Sequence, residues 1–350
     1  MYVIRPIQTQ DLDALIAIAE LSGPGFTSLP VHPELLERKI AQSIDSMAQP
    51  LGRTEGEHYL FVLEDTEQQL VIGTTAITSA VGMDDPWYHY RMGTVVHASR
   101  EMHIHNRFRT LYLCNDYTGH SEVCSLFLHP DYRRNLNGAL LSKCRFLFMA
   151  QHPERFAERV IAEMRGVSNE QGVSPFWEGL GRHFFSMDFS EADYLTGLGN
   201  KSFIAELMPK SSIYTHLLPE SAQQVIGEVH ANTQPARKML EDEGFHFEDY
   251  VDIFDAGPTL VTRLKDIRSI RYSEVKTVRS TEQLISDEAS QQRCLVANTQ
   301  RQQFRCLMVN LTLEAGDSIA LPSDIADLLL LRDGDPVRLV PLASTRKHLK

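Results

Sequence analysis

Hydrophobic and polar positions follow two different spacings along the 350 residues, and together they predict a chain of mixed strands and helices. Alternating or continuous apolar runs bounded by polar turns predict strands at 2–6, 59–64, 70–81, 91–97, 110–113, 124–128 and 159–166. Apolar residues at helical spacing predict helices at 9–21, 33–47, 138–150 and 174–185, and a further helix that ends before Gly244. The runs 59–64 and 70–81 flank a polar turn, so they predict a hairpin.

The pattern changes from about residue 263, where short strands are separated by Gly-Asp turns. Residues 291–313 alternate, 319–331 predict a short helix, and 333–340 predict a turn and a strand. Such a pattern is typical of a small β-rich, barrel-like domain. Because a single core stops growing at roughly 250–300 residues, we predict a large domain over 1–262 and a small one over 263–350.

The most informative stretch is a short strand, a polar turn and a helix. The apolar run 124–128 ends at Pro130, and helical spacing begins near Gly138. A helix that starts after such a turn offers unpaired backbone N–H groups and the positive end of its dipole. Arg133 and Arg134 add positive charge beside it. The stretch is therefore a candidate anion site, and a plain solvated connection is the alternative that these residues leave open.

Two further stretches carry candidate substrate contacts. Asp84 and Asp85 precede Trp87 and two tyrosines, and carboxylates beside flat aromatic faces suit a guanidinium, which takes bidentate hydrogen bonds and stacks. The alternative is a solvated turn over a partly exposed tryptophan. The polar turn 115–119, directly before the informative strand, is a second candidate for contacting a small substrate.

Charge narrows the classes of partner. The formal net charge of −12 argues against nucleic-acid binding, which needs a basic surface, and suits a small cationic substrate. His103 and His105 have no third ligand in view, so we expect surface residues and no metal site.

The location of the protein is predicted from three absences. The N-terminus has no basic leader with a long apolar core, and no run reaches the ~18–20 apolar residues of a membrane span. The five scattered cysteines form no C-x-x-C pair and are typical of reduced thiols. We therefore expect a cytoplasmic protein without a membrane partner.

The segment Arg133-x-x-Leu136-x-Gly138 resembles the acyl-CoA pyrophosphate loop of the GNAT acyltransferases, Arg/Gln-x-x-Gly-x-Gly/Ala, with Leu136 in place of the first glycine. Over its whole length the chain resembles the arginine N-succinyltransferase family. The stretches that carry this resemblance include Leu29-Pro30, Asp85-Pro86-Trp87-Tyr88, Ala162-Glu163-Met164-Arg165-Gly166, Ser174-Pro175-Phe176-Trp177, Phe185-Ser186-Met187-Asp188-Phe189-Ser190, Ile204-Ala205-Glu206-Leu207-Met208-Pro209-Lys210 and Asp252-Ile253-Phe254-Asp255-Ala256-Gly257-Pro258.

The resemblance implies an α+β fold. Its core is GNAT-like, with a mixed, mostly antiparallel sheet flanked by helices, followed by the small C-terminal β-rich domain. Two units end in a helix and a Gly-containing cap, so either an insertion or a partial duplication from about residue 190 stays open.

The implied reaction moves a succinyl group from succinyl-CoA to the α-amine of L-arginine, giving N2-succinyl-L-arginine and CoA in arginine catabolism. Succinyl-CoA is then a co-substrate, and no permanently bound cofactor is implied. The implied CoA-binding residues are Leu126, Arg133, Arg134, Asn137 and Gly138. The family's proton-donor histidine falls on His230, although Ala231 replaces the proline that usually follows it.

The chemistry needs a stabilised oxyanion and a protonated or hydrogen-bonded leaving thiolate. Backbone N–H groups near Leu126 could polarise the thioester carbonyl, and His230 titrates near neutrality, although a lone histidine before a helix is more often a cap or a surface residue. We expect an acidic partner for the guanidinium among Asp84, Asp85 and Glu163. For the succinyl carboxylate we expect a cationic partner, with Arg165 or Arg91 as candidates.

Three alternatives to an arginine-specific enzyme stay open. They are a dual arginine/ornithine N-succinyltransferase, another N-acyltransferase acting on ornithine or a polyamine, and a non-catalytic regulator that binds acyl-CoA. We also expect a homo-oligomer, such as a dimer, with the C-terminal domain as a candidate contact.

Overall fold

Strands and helices alternate in the order that the hydrophobic pattern predicts over most of the chain. A computed structural model describes residues 1–23, 28–50, 56–198, 202–281, 291–313 and 315–342. The strands are β1 (Tyr2–Pro6), β2 (His58–Asp65), β3 (Leu70–Thr78), β4 (His89–Ser99), β5 (Ile104–Cys114), β6 (Ser121–Leu128), β7 (Arg159–Glu163), β8 (Ile213–Tyr214), β9 (His246–Val251), β10 (Pro258–Arg263), β11 (Glu274–Thr281), β12 (Gln292–Asn298), β13 (Cys306–Leu311), β14 (Ser318–Pro322) and β15 (Pro336–Pro341).

The helices lie mainly between β1 and β2, between β6 and β7, and between β7 and β9. They are α1 (Leu12–Ser22), α2 (Pro33–Ala48), α3 (Asn137–Gln151), α4 (Arg182–Phe185), α5 (Phe189–Gly197), α6 (Ser202–Leu207), α7 (Glu220–Val225), α8 (Gln234–Asp242), α9 (Arg268–Arg271) and α10 (Ser323–Leu328). None of these helices is long and apolar enough to cross a membrane.

The described strands join in one sheet with the order β14-β11-β15-β12-β13-β1-β2-β3-β6-β7-β10-β9-β4-β5-β8. Among the strand pairs of the described residues, β6–β7 and β11–β14 are parallel and the rest are antiparallel. The mixed, mostly antiparallel sheet, the flanking helices and the strand-rich C-terminal part confirm the predicted fold class.

Both faces of the central strands are buried, which explains their nearly continuous apolar sequence. On one face, Leu60 and Val62 of β2 pack with apolar residues of α1 and α2. On the other face, Tyr59 and Phe61 pack against α3. Gly73 lets α3 approach β3 closely, because a Cβ there would lie 2.8 Å from a Leu141 methyl and 2.7 Å from the Phe127 carbonyl.

The C-terminal strands have an apolar core of their own on one face. On the other face, residues such as Leu295 and Val340 pack in the core that contains α3, and the strands continue the same sheet. Strand β13 pairs with β1 through Ile4 and Cys306. The predicted helix over 319–331 is wrong in its first part, since residues 318–322 form β14 and pair in parallel with β11. The division at 262/263 and the duplication from about 190 stay predictions.

Three other predicted segments need comment. The sequence of residues 224–229 fits either a strand or the end of a helix, and the structure has the end of a helix there, since α7 stops at Val225. The hairpin of β4 and β5 is longer than predicted, and His103 and His105 are exposed at its tip. The Gly- and Pro-rich sequence of residues 23–30 predicts a turn, and residues 24–27 of it lie outside the described residues.

A buried charged network ties the segment after α3 to β2. Arg155 and Glu57 are both almost fully buried, with Nη1 donating to Oε1 at 2.7 Å. Arg155 also donates to the Gln49 carbonyl, and Tyr59 donates to the other oxygen of Glu57. Neither charge has access to solvent, so each depends on the other.

We predict that Arg155→Met lowers the free energy of unfolding by about 3–5 kcal/mol, because it leaves the Glu57 carboxylate buried without its partner. Denaturant unfolding of wild type and variant measures the difference. Arg182→Met is the matched control, since the Arg182–Glu178 pair is partly exposed and its loss should change the free energy of unfolding much less. Equal losses in the two variants would contradict the prediction.

Candidate active site

The central feature of the site is a gap between two neighbouring strands. Strands β6 and β7 pair in parallel only at Ser121–Val160 and Glu122–Ile161. Beyond these pairs β6 continues to Leu128 and β7 to Glu163 without further pairing between them. The two strands therefore open into a wedge lined by backbone groups, in the middle of the sheet.

A β-bulge shapes the β6 side of the wedge. Cys124 pairs with Ala76 and Phe127 with Thr74, so Ser125 and Leu126 together face one residue of β3. Ser125 has a φ of 51°, a left-handed conformation that is unusual for serine. The hydroxyl of Thr74 donates to the Ser125 carbonyl at 3.0 Å and helps to hold the bulge. The bulge interrupts the regular β-ladder at Leu126. The predicted role of Leu126 needs such an interruption, because a backbone N–H there has to donate to a substrate carbonyl.

Counting along the strands places Leu126 opposite the segment that follows β7. Leu126 is four residues beyond Glu122, and Arg165 is four residues beyond Ile161, its parallel partner. Because the bulge adds one residue to β6, Leu126 lies across the wedge near the level of Met164 and Arg165. Arg165 is half-buried, and its Nη2 donates to Ser168 Oγ at 3.1 Å.

His230 is fixed to the same level of the wedge. Its backbone N–H donates to the Arg165 carbonyl at 2.9 Å. Its Nδ1 accepts a hydrogen bond from the Asn232 N–H at 3.2 Å, which closes a 3-10 turn over 231–233. Ala231 therefore forms the turn that the proline of the family pattern would favour.

The same hydrogen bond defines the tautomer of His230. Because Nδ1 is an acceptor, the proton of the neutral ring is on Nε2. Burial, and then the positive charge of Arg165, lower the pKa of His230 below its ordinary value. The neutral ring is thus favoured near pH 7, and it has a hydrogen-bond donor at Nε2.

The predicted anion loop precedes α3. Asn135 and Leu136 have φ values of 53° and 63°, so Leu136 adopts the left-handed conformation that a glycine would favour at this position. Leu136 is the N-cap of α3, and an apolar side chain cannot accept from the first N–H groups of the helix. Arg133 and Arg134 are exposed beside this helix start.

Two of the predicted CoA-binding residues have clear positions in the loop. Asn137 is buried, and its side-chain amide donates to the Tyr132 carbonyl at 3.1 Å, so it supports the turn. Gly138 lies in the first turn of α3 next to Met239 of α8. The loop and its helix start can hold an anionic group.

The face of the sheet opposite α3 carries an acidic group. Glu163 is one-quarter exposed, and its Oε1 is 2.8 Å from Nε2 of the fully buried His89. Burial, and then the charge of Glu163, raise the pKa of the neighbouring Asp252. Asp255 is buried and accepts from the N–H groups of Gly166 and Gly257, which ties the turn between β9 and β10 to the strand end after β7.

The other predicted substrate contacts are further from this group. Asp84 and Asp85 are exposed on the loop that leads into β4. Arg91 is largely exposed and lies over the Tyr250 ring, 4.0 Å from Asp116, so its charge has another partner. The structure therefore brings Leu126, Arg165 and His230 to one level of the wedge, with Glu163 two residues before Arg165.

The sequence reasoning missed His89, Asp252, Asp255 and Thr259. His89 directly follows one stretch that carries the family resemblance, and Asp252 begins another. That position in the sequence is the signal that could have found them. Their side chains come together only because β4, β7, β9 and β10 are neighbours in the sheet.

Comparison with known proteins gives the family. The family model described as arginine N-succinyltransferase beta subunit matches residues 2–269, and the model of its C-terminal domain matches 275–341. Proteins named arginine N-succinyltransferase from Escherichia coli K12 and Escherichia coli O157:H7 are each 49% identical over 347 residues, 99% of this chain and 99% of each relative.

A solved structure agrees with these matches. The arginine/ornithine succinyltransferase subunit AI of Pseudomonas aeruginosa is 40% identical, with a TM-score of 0.90 over 98% of this chain and 99% of that chain. The family model spans most of the chain, and the similarity extends over both the wedge and the C-terminal strands. The chain therefore belongs to the arginine N-succinyltransferase beta subunit family.

Proposed function

We propose that the protein is an acyltransferase that moves the succinyl group of succinyl-CoA to the α-amine of L-arginine. The products are N2-succinyl-L-arginine and CoA, and the reaction belongs to arginine catabolism. The observation that carries the proposal is the meeting of the Leu126 bulge, Arg165 and His230 in one wedge, in a chain 49% identical over its full length to arginine N-succinyltransferases.

Succinyl-CoA is the co-substrate, and no permanently bound cofactor is part of the proposal. The pyrophosphate lies at the start of α3, where Arg133, Arg134, Asn137 and Gly138 surround the helix N-terminus. The pantetheine arm then follows the wedge between β6 and β7. Its thioester carbonyl accepts from backbone N–H at Leu126, which polarises the carbonyl and stabilises the oxyanion.

The transfer requires one new bond and one broken bond. The neutral α-amine attacks the thioester carbon, the carbon–sulfur bond breaks, and in net one proton passes from the amine nitrogen to the sulfur. We assign His230 as the proton donor: its Nε2–H hydrogen-bonds to the leaving sulfur and passes its proton to it as the carbon–sulfur bond breaks, and the proton lost by the amine nitrogen returns to Nε2.

Arg165 is the proposed partner of the succinyl carboxylate. It lies at the level of the thioester, and burial lowers its pKa, so an anion there gains more than it would in water. Asp84 and Asp85 are placed at the outer rim of the acceptor side, and Glu163 further in.

The remaining assignments concern location and assembly. The described cysteines are all free thiols, which fits a reducing compartment, and we place the enzyme in the cytoplasm. We further propose a homodimer formed through the β4–β5 hairpin. Met102 and Ile104 are at least 40% exposed at the tip of this two-stranded ribbon, and an exposed apolar tip is typical of a protein contact.

The proposed reaction is tested by CoA thiol release from succinyl-CoA, followed with a thiol reagent. We expect fast release with L-arginine, slow release with L-ornithine and spermidine, and background release without acceptor. Comparable rates with arginine and ornithine would point to the dual enzyme. CoA binding without release in any reaction would point to a regulator.

We predict that His230→Ala lowers kcat by about 10²–10⁴-fold, the range of general acid–base catalysis, while the KM for succinyl-CoA stays near wild type. Steady-state kinetics of the folded variant measure both. His246→Ala is the control, because His246 is exposed and pairs with Glu248 away from the wedge. Turnover of His230→Ala near the wild-type value would remove His230 from the mechanism.

We predict that Met102→Asp combined with Ile104→Asp converts the dimer to a monomer, because two charges replace apolar side chains at the proposed contact. Light scattering after size-exclusion chromatography gives the mass. Leu330→Asp is the control in the C-terminal part, at a similarly exposed leucine. A monomeric Leu330→Asp protein beside a dimeric hairpin variant would move the contact to the C-terminal domain.

A further inference from the structure

The proposed transfer step uses one side of the wedge and leaves a polar group on the opposite side unexplained. Along β7, Val160, Ala162 and Met164 pack in the core that contains α3, while Ile161 packs with Tyr117 and Val261. Alternation places Glu163 on the Ile161 face. A carboxylate there is on the side away from α3, within the sheet rather than at its rim.

His89 contacts this carboxylate in an unusual way for a buried histidine. Its side chain is fully buried, packs edge-on against Tyr117, and has Nε2 2.8 Å from Glu163 Oε1. Among the described residues Nδ1 has no hydrogen-bond partner, so the close contact of Nε2 with the Glu163 carboxylate is the polar contact through which the ring acts.

Two more polar groups border Glu163. Thr259 is its direct cross-strand partner on β10 and is fully buried, and its hydroxyl has no hydrogen-bond partner in the part of the chain that the structure describes. Directly paired residues share one face, so this hydroxyl is on the Glu163 side. Asp252 uses Oδ1 to accept from the N–H groups of Phe254 and Asp255, which leaves Oδ2 for another donor.

The electrostatics of the group favour a cation. Burial is the larger cause that raises the pKa of Asp252, and the nearby negative charge of Glu163 is the second cause. Two carboxylates in a partly desolvated site repel each other, and a positive ligand between them removes that repulsion. A guanidinium fits best, because its planar fork donates to several oxygens at once.

The distance along β7 fits the length of the acceptor. Glu163 precedes Arg165 by two residues, roughly 6–7 Å along an extended chain. The α-amine and the guanidinium carbon of arginine are separated by six bonds, roughly 7 Å when extended, given bond lengths near 1.5 Å. An α-amine at the thioester level therefore brings the guanidinium to Glu163.

We propose that Glu163, Asp252 and Thr259 form a buried subsite for the distal guanidinium of the acceptor, and that His89 is the positioning residue that orients the Glu163 carboxylate. This proposal deepens the proposed function and rests on it for the placement of the α-amine. These groups then select an acceptor with a cationic side chain. Neither Asp84 nor Asp85 is needed for that selection.

The test is the affinity of the CoA-saturated protein for L-arginine and for L-citrulline, its uncharged analogue of the same shape, measured by calorimetry. We expect wild type to bind arginine much more tightly than citrulline. Glu163→Gln should weaken arginine binding about 30- to 1,000-fold and Thr259→Val about tenfold, with citrulline affected much less. Glu158→Gln removes an exposed carboxylate at the other end of β7 and should change neither affinity.

The role of His89 needs a separate readout. His89→Phe should raise the KM for arginine about tenfold and leave the KM for succinyl-CoA unchanged, and His89→Gln, which keeps a donor, should recover most of the loss. Thermal unfolding confirms that each variant is folded. Because Thr259→Val is nearly isosteric, it reports on the subsite even where Glu163→Gln disturbs the fold.

The outcomes separate this inference from the proposed function. Equal arginine affinities in wild type, Glu163→Gln and Thr259→Val, or equal affinities of wild type for arginine and citrulline, would overturn the subsite. Thiol release by wild type with arginine would still support the transferase in that case. Selective, Glu163-dependent arginine binding without thiol release would support the subsite and overturn the transferase.

Discussion

The structure depends on one departure from regular sheet geometry, the divergence of β6 from β7 after two residue pairs. Every backbone group in the gap gives up a ladder hydrogen bond and must find another partner. On the β7 side, the His230 N–H donates to the Arg165 carbonyl. On the β3 side of the bulge, the Thr74 hydroxyl donates to the Ser125 carbonyl. In the proposed reaction, the N–H groups near Leu126 donate to the thioester carbonyl, and the same opening holds the thioester and positions His230 beside it.

The two faces of the sheet at the wedge differ in charge, and the difference matches the two substrates. On the α3 side lie the N-terminus of that helix and the exposed Arg133 and Arg134, which suit an anion. On the other side lie the carboxylates of Glu163 and Asp252, which suit a cation. In the proposed reaction, the donor and the acceptor therefore approach the gap from opposite sides and meet where β6 and β7 part. A net charge of −12 describes neither side, because the local fields are opposite.

Local patterns were enough to predict most helices, the first hairpin and the strand–turn–helix unit, because those features depend on neighbours in sequence. The strand β14 was mistaken for part of a helix, since a short apolar run before α10 fits either structure until its parallel partner β11 is known. His89, Asp252 and Thr259 were missed for a related reason: their proximity to Glu163 depends on strand order and register. Leu136 stands where the pyrophosphate-loop pattern has its first glycine, which made the motif harder to recognise. Its backbone still has the left-handed conformation that a glycine would favour there.

The N-terminal strand β1 connects the C-terminal strands to the part of the sheet that contains the wedge. Alternate residues of β1 point to different cores: Val3 packs with the C-terminal core and Ile4 with the core that contains α3. On one edge β1 pairs with β13 and on the other with β2. The five residues of β1 therefore join both cores, as alternate residues of β12, β13 and β15 also do. The C-terminal part covers an edge of the sheet that would otherwise expose unpaired backbone groups. Its contribution to the site is thus the support of β1, β2 and β3, on which β6 and its bulge are built.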